Sequence, residues 1–97
     1  MTVSNMRSTS HLNCECGTWL DHWKRFSRQD VPRFCPTAGC WQAAQVGAHV
    51  QKNSPTDRNE YIVPLCKGCN AKLGAPLEIS DNVALVSANI SGTCAKK

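Results

Sequence analysis

Two short cysteine pairs constrain this chain more than any other feature. CPTAGC carries Cys35 and Cys40, and CKGC carries Cys66 and Cys69. A zinc ion needs four ligands at tetrahedral corners, and two close pairs on tight turns supply them without backbone strain. In CKGC the glycine lets the turn close and leaves backbone N–H groups free to point at sulfur. The competing readings are buried free thiols or disulfides. Size favours metal. A chain of 97 residues buries somewhat over about 60% of its surface on folding, so its apolar core needs a staple. The stretch MTVSNMRSTSHLNCECG lacks the apolar segment of a secretory signal. A reducing, cytoplasmic location is therefore expected, where cysteine clusters usually hold metal. The cysteine total of seven is odd, which fits a closed disulfide framework poorly.

Cys14, Cys16 and Cys94 remain. Cys-x-Cys is too tight for the usual knuckle, although both sulfurs can reach one metal when the loop bends. These three form a second site with His11 or His22, or Cys94 packs against or pairs with one of the other two. Both readings stay open. The formal charge is +4. Four thiolates and one Zn²⁺ add −4 and +2 and leave +2, too little to establish a polyanion partner. No stretch approaches about 18 apolar residues, so no membrane span is expected.

Residues 1–97 read as a single domain, with a polar, flexible lead-in over 1–13. TWLDHWKRFSR (18–28) predicts a short amphipathic helix. Thr18 and Asp21 have the spacing of a capping box. Trp19, Leu20, Trp23 and Phe26 share one arc, Lys24, Arg25 and Arg28 the opposite one, and His22 falls at the border. Val31-Pro32 stops the helix. From 44 to 50 the pattern alternates: Ala44, Val46, Ala48 and Val50 point one way, Gln45, Gly47 and His49 the other. EYIVPL (60–65) is the return strand after a polar loop, with Pro64 marking an edge or its end. His49 is thus expected on the open side of a hairpin. CKGCNAKLGA predicts a helix starting near Cys69 and stopped by Gly74 and Pro76. Residues 77–90 predict a pair of short strands around a turn at Ser80-Asp81-Asn82. The fold class is α+β.

The order is a cysteine pair, a strand carrying AHV, a polar loop, YIVPLC, then CKGCN opening a helix. It resembles the treble-clef zinc finger of the HNH (His-Me finger) nuclease superfamily over about residues 35–73. The resemblance implies structural zinc on Cys35, Cys40, Cys66 and Cys69. It further implies His49 as general base, Asn70 at the third motif position, a second divalent ion for catalysis, and DNA or RNA as partner. Two positions depart from the pattern. Ala48 stands where family members usually carry Asp or His to hold the catalytic ion. Tyr61 stands where an orienting asparagine belongs, the nearest being Asn59. Asp57, Glu60 and Asn70 are the available substitutes.

These departures bear on mechanism. The ion on the scissile phosphate stabilises the leaving oxygen, whereas a histidine base contributes about 10²–10⁴. Losing the ion's anchor removes the larger effect. The resemblance therefore implies a zinc-dependent nucleic-acid-binding module, degenerate or atypical as an endonuclease. The competing class is a structural or protein-interaction zinc finger. His49 keeps three readings: a catalytic base, a polar hairpin residue bonded to the loop, or a zinc ligand. Lys52, Arg58, Lys67 and Lys72 discriminate the classes. Gathered on the face of His49 they favour nucleic acid; scattered, they favour a protein partner.

Overall fold

The computed structural model describes residues 1–5, 18–54, 56–57, 59–72 and 76–88. The chain order is β1 (Thr2–Asn5), α1 (Trp19–Ser27), β2 (Val46–Lys52), β3 (Glu60–Leu65), α2 (Lys67–Asn70), β4 (Pro76–Glu78) and β5 (Val86–Ser87). The class is α+β, a five-stranded antiparallel sheet with two helices, in the order β4-β1-β2-β3-β5.

The expected hairpin forms the centre. β2 and β3 pair from Val46 opposite Leu65 to Gln51 opposite Glu60. Paired residues in an antiparallel ladder share a face. Ala48 and Val50 therefore lie with Val63 on one side, and His49 lies with Ile62 on the other.

Two expectations about the flanks are corrected. Residues 2–5, read as part of a flexible lead-in, form β1, an interior strand between β4 and β2. Composition hid this, because its backbone pairs on both edges while only Val3 and Asn5 turn fully inward. The rest of that lead-in lies outside the described residues. The two C-terminal strands do not pair with each other. The turn is present, with Val83 N–H donating to Ser80 O at 3.3 Å. β4, however, joins β1 and β5 joins β3, at opposite edges of the sheet. Each short strand finds an unsatisfied strand edge there, which two- or three-residue partners could not offer each other as well.

α1 starts where its capping box predicts. Asp21 N–H donates to Thr18 Oγ1 at 3.1 Å, and Thr18 N–H donates back to Asp21 Oδ2 at 3.4 Å. Arg28 ends it in the left-handed region at φ 59°. The helix buries Trp19, His22 and Trp23. His22 is fully buried rather than at a border. Its Nε2 lies 2.9 Å from Ser87 O, and Trp23 Nε1 donates to Ala84 O at 2.8 Å. Both bonds tie the helix to the segment containing β5.

The first turn of α1 sits directly on β2. A Cβ at Gly47 would come within 2.6 Å of Leu20 N and Trp19 C, so only glycine permits this approach. The face of the hairpin that carries His49 is therefore covered, not open. Two apolar cores result. One contains Val3, Ala48, Val50, Val63 and Leu65 together with Cys35, Cys66 and Cys69. The other contains Trp19, Trp23, Ile62 and Val86.

Candidate metal centre

The first cysteine pair is carried on a small knuckle. Phe34 bridges Ala43, and Cys35 N–H donates to Gln42 O at 2.7 Å. Gly39, at φ +77°, turns the chain so that Cys40 N–H reaches Thr37 O at 3.0 Å. The knuckle is stitched to the strand beyond it. Thr37 bridges Ile79, and Ala38 N–H donates to Glu78 O at 2.8 Å.

The second pair follows β3 without a break. Cys66 is the N-cap of α2, extended at φ −74° and ψ 164°, and its Sγ accepts the Cys69 N–H at 3.3 Å. The helix therefore begins directly after Cys66 rather than near Cys69. Sulfur takes the role that an oxygen plays in an ordinary N-cap. α2 is one turn long, and Asn70 N–H closes it on Cys66 O at 3.0 Å.

These two devices bring four sulfurs together. The Sγ atoms of Cys35, Cys40, Cys66 and Cys69 all lie within 4.8 Å of one another. Cys40 Sγ is 3.7 Å from Cys66 Sγ and 3.9 Å from Cys69 Sγ. All four are free thiols, since a disulfide needs about 2.05 Å. The cluster can hold a metal ion.

Its electrostatics point the same way. Burial pushes the Cys66 thiol up, but the Cys69 N–H and the neighbouring thiols more than offset this and bring it to about 7. Burial and the Cys66 and Cys35 sulfurs push Cys69 up to about 12, against a smaller opposing bond from Thr37. At Cys40 the Gln42 backbone pulls down, yet burial and Cys66 together raise it. The Cys66 thiolate forms readily, while those of Cys40 and Cys69 are resisted. A cation is what lets these two ionise beside it.

Asn5 braces the cluster and was not singled out from sequence. It is 3% exposed, and its Nδ2 donates to Asn70 O and, at 3.5 Å, to Cys69 O. Its cue was its alternation in phase with Val3, which becomes informative only once β1 is known to be a strand.

His49 and Asn70 are not brought together. His49 is 8% exposed and buried on the α1 side. Its ring meets Trp19 edge to face, with centroids 4.5 Å apart, and Trp19 in turn meets His22 at 5.2 Å. Burial holds the His49 imidazole below its usual value, Glu60 opposes this, and His22 adds to it. Asn70 follows Cys69, which packs with Ala48 and Val50 on the other face. Ala48 itself is 1% exposed. Tyr61 Oη donates to Asp57 Oδ2 at 2.8 Å, and Lys52 Nζ lies 3.6 Å from the same oxygen.

The basic residues are scattered. Lys52 is tied to Asp57 beside the β2–β3 connection, while Lys67 and Lys72 flank the two ends of α2. None of these three sits on the face of His49, which α1 covers. His11, Cys14, Cys16, Arg58, Gly74 and Cys94 lie outside the described residues. Among the described residues no helix is long and apolar enough to cross a membrane. Compared with family models, with curated proteins and with solved structures, the chain gives no match.

Proposed function

We propose that this protein is a zinc-binding module of treble-clef, HNH-like type that binds nucleic acid and has lost, or never had, the power to cut it. The observation that carries the reading is the all-sulfur cluster. Zn–S bonds of about 2.3 Å at tetrahedral angles place sulfurs about 3.8 Å apart. The separations of 3.7 and 3.9 Å fall on either side of that value. Four thiolates in a closed, half-buried to buried set suit a structural zinc, with no position left for water or substrate.

Cleavage is disfavoured by placement. A general base must reach the proton that it abstracts. His49 lies beneath Trp19, on the face away from α2, and Ala48 offers no ligand to a second ion. Nucleic acid is favoured by the exposed Lys67 and Lys72 at the ends of α2. A protein-interaction finger is the second reading, and the scatter of Lys52 away from Lys67 and Lys72 is what favours it.

One experiment separates these. Purified protein should carry about one zinc per chain by elemental analysis. It should bind oligonucleotides weakly, with affinity falling steeply as salt rises. It should leave plasmid uncut with Mg²⁺ or Mn²⁺. Folded protein without zinc refutes the metal reading. Zinc with no oligonucleotide binding at low salt moves the assignment to protein interaction. Nicking abolished by His49→Ala restores the nuclease.

A further inference from the structure

The knuckle that carries Cys35 and Cys40 also presents two large aromatic rings to solvent. Trp41 is 76% exposed and Phe34 44%, and they are the exposed large hydrophobic residues among those described. The other two tryptophans, Trp19 and Trp23, are buried. Exposure on this scale is unusual for tryptophan. Nothing in the packing of either core requires it.

The rings are held in place. Phe34 precedes Cys35 and Trp41 follows Cys40, so each ring stands one residue from a sulfur of the cluster. The Phe34–Ala43 bridge and the Cys35–Gln42 hydrogen bond lock the two arms of the knuckle side by side. The rings meet edge to face, with centroids 5.7 Å apart and planes at 77°. An edge-to-face pair covers at most one face of one ring, and Trp41 keeps most of its surface open.

A cation lies against the pair. The Arg33 guanidinium carbon lies 5.6 Å from the Phe34 centroid. Cys40 Sγ and Cys66 Sγ are 3.7 Å apart, and Trp41 and Lys67 each follow one of these two cysteines in the chain. Glu78, whose backbone carbonyl accepts from Ala38 of the knuckle, turns its carboxylate onto the Met1 ammonium and the Thr2 hydroxyl.

We propose that Phe34 and Trp41 form a platform on which unpaired bases of single-stranded nucleic acid stack, with Arg33 and Lys67 meeting the flanking phosphates. The proposal rests on the nucleic-acid reading above and narrows it to one class of strand and one surface. Every base has a flat π face, so such a platform tolerates sequence. A duplex keeps its bases stacked on one another and offers the rings only its outside. Because the rings are anchored through the cysteines, the platform also depends on the bound metal.

The test uses the zinc-loaded full chain and oligonucleotides of about ten nucleotides, near the site size of small single-strand binders. Trp41 is the tryptophan that a base can reach, so single strands should quench its emission, and a duplex of the same length should quench it far less. Trp41→Ala should lower single-strand affinity by about 5- to 150-fold, with zinc content and thermal midpoint unchanged. Trp41→Phe should keep most of the affinity. If Trp41→Ala binds single strands as the native protein does, or if duplex is preferred, the platform is overturned while the nucleic-acid reading survives. If no oligonucleotide binds at low salt, both fall together.

Discussion

The two faces of the β2–β3 hairpin are built by opposite means. On one side aliphatic side chains, Val3, Val50, Leu65, Leu77 and Ile79 among them, pack around Cys35, Cys66 and Cys69. On the other, the large rings of Trp19 and Trp23 close over Ile62 and Val86. The first face is aliphatic, and it holds four thiols that a metal can clamp. The second has no such cluster among the described residues and relies on a glycine that lets a helix sit on a strand. Metal and aromatic packing are alternative ways to close a core that a chain this short cannot otherwise complete. Because both act on the same two strands, they are expected to stand or fall together.

The largest effect should come from metal removal. Structural zinc supplies about 10–16 kcal/mol in small zinc-folded peptides, comparable to the whole stability of a typical domain. Chelation, or Cys66→Ser, should therefore unfold the chain, and circular dichroism with tryptophan emission would follow it. The informative result is the fate of the far face. If Trp23 stays buried and the β2–β3 amides stay protected after chelation, the α1 side is independently stable and the two faces are not coupled.

Next in size is Gly47→Ala. The added methyl meets backbone atoms of Trp19 and Leu20 at 2.6 Å, and backbone cannot swing aside as a side chain tip can. Overpacking of this kind costs about 1–3 kcal/mol. A denaturant titration at saturating zinc should show that loss with metal content unchanged. Unaltered stability would mean that α1 does not rest on β2, and the contrast between the faces would lose one of its terms.

The smallest effect is pH-dependent and belongs to the α1 side. Burial lowers the His49 imidazole in the folded chain, while the unfolded value is about 6.5. Below about 6.5 the unfolded state therefore binds more protons. Stability is fully present above that pH and is lost as pH falls towards the folded value. His49→Gln should flatten this part of the profile. Acid also protonates the cysteine ligands, so the two proteins are compared at equal zinc. Identical profiles would show that His49 does not contribute.

Much of the local structure was legible because it depends on near neighbours. Thr18 and Asp21 marked the start of α1, and the alternation of Ala48 and Val50 marked β2. The run Ile62-Val63-Pro64-Leu65 was informative in a way that is easily passed over. All four residues are buried, and a strand apolar at successive positions is covered on both faces. Together with the unpartnered aromatic arc of α1, that run already argued against an open side for His49. The candidate site divides in the same way. The spacing of Cys35, Cys40, Cys66 and Cys69 indicated the cluster, whereas the brace from Asn5 had no local signature, because the distance in sequence from Asn5 to Asn70 carries no pattern.

The sequence by itself determined the ligand-type residues, the capping of α1, the central hairpin and its two-sided alternation, since each follows from side-chain chemistry over a few positions. Tertiary structure alone decided which face each element covers. It set β1 inside the sheet, sent β4 and β5 to opposite edges, buried His22 and His49 beneath Trp19, and left Trp41 in solvent. The physical reason is that strand edges and apolar faces are satisfied by whatever complementary surface the whole chain brings near. That choice is made by the sum of burial and hydrogen bonding across the molecule, and not by any short stretch of residues.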